Sequence, residues 1–212
     1  MSSNIMAKVY LWMFIGLAVT FLTGSIISSN PDAVLTIFKG VNVFLLALVE
    51  IGLVIVLSAR ITKMKSSTAK ILFIIYSFVT GLTFSSIFIV YSISSIISVF
   101  LMTSLIMLVF SCLGYFLKID LTKIGIFLLM ALLGIIIASI VNIFLGSDQL
   151  TFIITIISVL VFVVYIAYDV QKIKYLQETI PEENLAIYGA LQLYLDFINI
   201  FIDLLQLFGD NR

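Results

Sequence analysis

LAIYGALQLYLDFINIFIDLLQLF, residues Leu185 to Phe208, is a stretch of hydrocarbon with a polar stripe drawn through it. Tyr188, Gln192, Asp196, Asn199, Asp203 and Gln206 follow one another at steps of 4, 4, 3, 4 and 3 residues. That spacing stacks six polar side chains on one face of an α-helix. Nearly everything between them is Leu, Ile, Phe or Ala. A helix this apolar and this long belongs in a bilayer, where carboxylates are rare and mark ion or proton paths.

The rest of the chain agrees. Of 212 residues, 63% are hydrophobic and 10% charged, with a mean hydropathy of +1.30. A soluble domain carries about 25% charged residues. Net charge is zero, so no basic surface points to nucleic acid. Cys112 is the single cysteine, which excludes an internal disulfide. There is no His, so proton sensing near neutrality falls to carboxylates.

Hydrophobic runs long enough to cross about 30 Å of hydrocarbon lie near Val9–Ser28, Val41–Ser58, Ile71–Val90, Ile96–Leu117, Ile124–Leu145, Thr151–Tyr168 and Leu185–Phe208. The expected fold is an all-α integral membrane protein of seven transmembrane helices, one transmembrane domain over residues 1–212. The first run lacks a clear small-residue cleavage site and reads as an uncleaved span. Lys8, Arg60, Lys63, Lys65, Lys70, Lys118, Lys123, Lys172 and Lys174 fall on one side of the membrane, Lys39 and Arg212 on the other. Nine against two places the N-terminus in the cytoplasm and the C-terminus outside. Short termini without a retention signal point to a prokaryotic cell membrane. Small residues four apart mark close-packing faces: Gly16, Thr20 and Gly24; Ser77, Gly81 and Ser85; Gly134 and Ala138.

Four acids lie in spans or at their ends: Glu50, Asp169, Asp196 and Asp203. Asp169 closes the sixth run, preceded on roughly the same face by Thr155, Ser158 and Tyr165. The midpoint between Asp169 and Asp196 falls at Glu182-Glu183, beside Pro181. If the chain turns there, each Asp lies about 13 residues, or roughly 20 Å, from the turn, and the two stand at similar depth on antiparallel helices. Carboxyls forced together in low dielectric cannot both ionise cheaply, so they share a proton and titrate as a unit. The bland alternative is that each is a neutral hydrogen-bonding group between helices. Glu50 reads equally as an internally bonded residue or as part of a cation path, and Arg60 as a positive-inside anchor.

The run Tyr188-Gly189-Ala190-Leu191-Gln192-Leu193-Tyr194-Leu195-Asp196-Phe197-Ile198-Asn199-Ile200-Phe201, with Ala167-Tyr168-Asp169-Val170-Gln171 before it, resembles the terminal signature of the Bax inhibitor family. The resemblance implies a bundle whose last helix is central and wrapped by two groups of three. It also implies a pH-regulated calcium leak, no enzyme, with Asp169 and Asp196 as the sensing pair. It puts Arg60 where the family has a gating cation near the end of the second helix. Glu50 falls near an acidic position of some bacterial members, where it would meet calcium together with Asp169 and Asp196. Asp203 is outside the family motif.

Calcium prefers six to eight oxygen ligands. The spans offer a few carboxylates with Gln192, Asn199 and Asn142, a set too sparse for a cage but suited to permeation, with calcium as the permeant ion and no tightly bound cofactor. Partners are then calcium, protons and the lipid bilayer. A proton-coupled exchanger could use the same acids, and a membrane scaffold acting through protein partners is a third reading. An intramembrane aspartyl protease would need Gly-x-Gly-Asp where Leu193-Tyr194-Leu195-Asp196 stands. Retinal binding lacks a Lys in the seventh span.

Overall fold

The computed structural model describes residues 4–211, so Arg212, counted above for orientation, lies outside the described residues. Among the described residues are eight α-helices: α1 (Asn4–Ser28), α2 (Pro31–Phe38), α3 (Asn42–Arg60), α4 (Ser66–Val90), α5 (Ile93–Phe116), α6 (Gly125–Leu145), α7 (Asp148–Leu176) and α8 (Glu182–Phe208). A 3-10 turn, Leu121–Ile124, leads into α6. All but α2 are long and apolar enough to cross a membrane. The chain is an all-α integral membrane protein with the expected seven spans.

Two elements depart from the expectation. Between the first two hydrophobic runs, where no helix was expected, Asn30-Pro31-Asp32 opens a short helix, α2. Asn30 caps it, its Oδ1 accepting from Ala33 N at 3.2 Å, and Pro31 stands in the first turn, where its missing N–H is no loss. The second departure is α7, which does not stop at Tyr168 but runs to Leu176. Hydropathy falls at Gln171 and Lys172, yet Val170 and Ile173, both 0% exposed, keep the core-facing period going. The polar residues of this extension fasten the end of α5 and the connection from α5 to α6. Gln171 Nε2 donates to Ile119 O at 2.9 Å, its Oε1 accepts from Leu121 N, and Lys174 Nζ donates to Tyr115 O at 2.7 Å.

Contacts divide the chain into two compact units. The first holds α1 to α4 and α8 through Tyr194; the second holds α5 to α7 and α8 from Leu195. In the first, the small-residue faces of α1 and α4 meet each other. A Cβ on Gly16 would stand 2.7 Å from Phe73 Cζ, and one on Gly81 2.6 Å from Thr23 Cβ. Tyr194 is wholly buried here against the edges of Phe73 and Tyr76. Its hydroxyl donates to Thr20 Oγ1, which in turn donates to Ser77 O.

In the second unit a Cβ on Gly114 would lie 2.5 Å from Ala167 O, so α5 and α7 touch backbone to backbone. Phe100 packs on Phe197 and Phe201 of α8. The third small-residue face, at Gly134, meets nothing within 4 Å. Of the apolar window of α8, 78% is buried, against 6% for α3 and for α6. The last helix is therefore core, and the exposed Leu, Ile and Phe of α3 and α6 are the surface a bilayer covers.

Candidate functional site

Asp169 on α7 and Asp196 on α8 meet inside the second unit. They are 5% and 3% exposed, and their carboxyls stand close enough to act on each other directly. An ionised carboxylate only accepts, so two carboxyls can bond to each other only when one of them holds a proton. Asp196 Oδ2 is buried with no partner. In surroundings this apolar, an unmatched carboxylate oxygen costs free energy, which the protonated arrangement lessens. The juxtaposition expected from spacing is present.

The two acids are not, however, equally far from the turn between their helices. The helix carrying Asp169 ends at Leu176, seven residues on, whereas Asp196 lies fourteen residues into α8. The chain turns before Pro181, not at Glu182-Glu183, and the two distances are unequal. The sequence periodicity could place both acids on buried faces but could not fix where α7 would end. Lys172, one helical turn beyond Asp169, is electrostatically coupled to it and stands 5.5 Å from the centre of the Tyr168 ring. Its i,i+3 spacing from Asp169 was a signal the sequence reading left in the positive-inside count.

Glu50 and Arg60 belong to the first unit. Glu50 Oε1 accepts from Thr83 Oγ1 at 2.7 Å, tying α3 to α4, an internal bond of the kind that was one of the two readings open for it. Arg60 ends α3 exposed, and its side chain forms no ion pair among the described residues. A cluster that sequence reasoning missed lies at the start of α8. Lys8 Nζ pairs with Glu182 and Glu183 at 3.0 Å each, and Lys70 Nζ with Glu183 at 2.5 Å. Beside them Asn184, 5% exposed, donates to Ile61 O at 2.5 Å and Met64 O at 2.9 Å. The expected turn was put at Glu182-Glu183, yet α8 begins there, and Asn184 satisfies two carbonyls just past the end of α3.

The far half of the stripe does something different. Asn199, Asp203 and Gln206 line a cavity of about 570 Å³ in the second unit, walled by α6, α7 and α8. Thr155 Oγ1 donates to Gln206 Oε1 at 2.9 Å, and Ser158 lines the cavity with them. At the mouth, Asn142 binds Ser147 and Thr151 and shapes the turn at Gly146, whose φ of 61° suits glycine. Among the described residues, no group of three or more His, Cys, Asp or Glu could hold a metal ion.

Comparison with known proteins adds relatives along almost the whole length. The family model described as inhibitor of apoptosis-promoting Bax1 matches residues 2–212. The inner membrane protein YbhL of Escherichia coli K12 is 45% identical over 215 residues, covering 98% of this chain and 92% of the relative. A protein of Borreliella burgdorferi is 41% identical, covering 99% and 93%, and one of Deinococcus radiodurans is 36% identical, covering 98% and 90%.

Proposed function

The chain belongs to the Bax inhibitor family, and from that premise we propose that it is a pH-sensitive calcium leak channel of a cell membrane, with Asp169 and Asp196 as its sensor. The observation that supports the proposal is the buried juxtaposition of these two carboxyls on α7 and α8, which favours one proton shared between them. With one proton the pair is a latch between α7 and α8. With none it is two like charges in low dielectric, which repel and shift the population toward another packing. A tenfold change in proton binding is worth about 1.4 kcal/mol, on the scale that separates two states of a gate.

Calcium meets this path weakly. Two carboxylates and scattered amides leave a cation most of its water, which suits passage better than retention. On this reading the pair gates and does not catalyse. Glu50 is assigned to the cation path and Arg60 to gating on the family resemblance. The N-terminus faces the cytoplasm by its Lys and Arg bias, and the inner-membrane relative supports a bacterial cell membrane.

The test is calcium uptake into proteoliposomes holding a calcium dye. A leak carries calcium down its own gradient with no proton gradient imposed. Uptake that appears only with an imposed proton gradient would make the protein an exchanger, and no uptake above empty liposomes would overturn transport altogether.

A further inference from the structure

The cavity in the second unit runs from the Gly146-Asp148 turn inward to Asn199 and Phe162. Its inner end therefore lies one helical turn from Asp196, since Asn199 follows that residue by three. Asp203 lies seven residues from Asp196, about 10 Å along α8. All of the lining belongs to the second unit.

What lines the cavity has a definite chemistry. Asp203 is among the lining residues, and its Oδ2 is buried with no hydrogen-bond partner. Asn199 spends its Nδ2 on Leu195 O at 2.7 Å, which leaves its Oδ1 as an acceptor. Four residues apart on a helix, these two oxygens stand one above the other on the same face. Thr155 and Ser158 add hydroxyls from α7, and Asp148 a second carboxyl at the mouth; no Lys or Arg is among the lining residues. Apolar side chains such as Ile135 and Phe162 share the lining, but Asp203, Asn199, Thr155 and Ser158 offer water the hydrogen-bond partners it needs in a space of this size. Hydrated, negatively charged and rich in oxygen acceptors, it selects hard cations and repels anions.

We infer that this cavity is an aqueous cation vestibule on the C-terminal side of the aspartate pair, in which Asp203 and Asn199 bind a hydrated divalent cation. The inference deepens the leak reading and rests on it for physiological meaning, though not for its test. One carboxylate gives weak binding, on the order of millimolar, so the vestibule concentrates cations without trapping them. It also gives Asp203, which lies outside the family signature, a task of its own.

The experiment uses the full chain in liposomes, with Cys112→Ser to remove the native thiol and Ser139→Cys as a reporter on the cavity wall. The rates of modification by a cationic and by an anionic membrane-impermeant methanethiosulfonate are compared, with and without millimolar calcium. The expected result is a preference for the cationic reagent of about tenfold, reduced by calcium, lost in Asp203→Asn and retained in Asp203→Glu. An equal preference in Asp203→Asn, or a reporter that reacts with neither reagent until the protein is denatured, overturns the vestibule. The two readings fail separately. Charge-selective labelling without calcium flux sinks the leak and keeps the vestibule, whereas flux with no charge preference does the reverse.

Discussion

Tyr194 and Asp196 are two residues apart and buried to nearly the same degree, yet they do opposite things. The phenol is fully satisfied, giving its proton to Thr20 Oγ1, whereas Asp196 keeps one oxygen unmatched. Tyr194→Phe should thus destabilise the fold by about 1 kcal/mol, the net worth of one buried hydrogen bond, with unchanged pH behaviour. Thermal unfolding in detergent alongside a flux profile checks both halves. Asp196→Asn should leave the unfolding temperature within a few degrees of wild type, because the amide can still donate to Asp169. Asp120, which lies in an exposed turn outside the spans, offers a control. Its carboxylate accepts from the hydroxyl and the N–H of Thr122, which holds it below the usual carboxylate range. A depressed value means the bonded turn is present above the ordinary titration range and is lost as pH falls through the lowered value. An NMR titration should show Asp120 below free aspartate, moving back up in Thr122→Ala.

Among the elements, glycine separates packing that matters from packing that does not. Gly81 has Thr20 O at 2.9 Å and Thr23 Cβ at 2.6 Å from where its Cβ would be. Backbone cannot step aside, so Gly81→Val should cost several kcal/mol by forcing α1 off α4. Gly134, with nothing within 4 Å, should tolerate Ala and gain up to about 1 kcal/mol from helix propensity. Melting temperatures of the two variants should move in opposite directions. Asn184→Ala should cost about 1–3 kcal/mol by orphaning two buried carbonyls. The seven spans were legible because about 20 apolar residues in a row have one physical explanation. The ends of helices were not, since helix α7 outlasts its hydropathy by using Val170 and Ile173 as core and Gln171 and Lys174 as fasteners. Helix α2 was written in Asn30-Pro31, a capping signal that the search for long runs passes over.

For the molecule as a whole, α8 is the element both units share, and its sequence carries a different task in each. Through Tyr194 it is held by Lys8, Lys70 and the α3 carbonyls. From Leu195 it carries the aspartate pair and the cavity stripe. The period of the stripe made the acids legible as a set, and the resemblance to a family singled out two of them. Neither could reveal that Asn199, Asp203 and Gln206 face open space, because a cavity is a property of what the other helices leave unfilled. The central claim is that the shared proton of Asp169 and Asp196 sets calcium permeability. It is tested by calcium uptake into proteoliposomes from about pH 6 to 8, a range that a buried carboxyl pair can reach, for wild type, Asp169→Asn and Asp196→Asn. The expected result is a pH-dependent uptake in wild type that both substitutions flatten. A wild-type pH response preserved in both folded variants would contradict the claim.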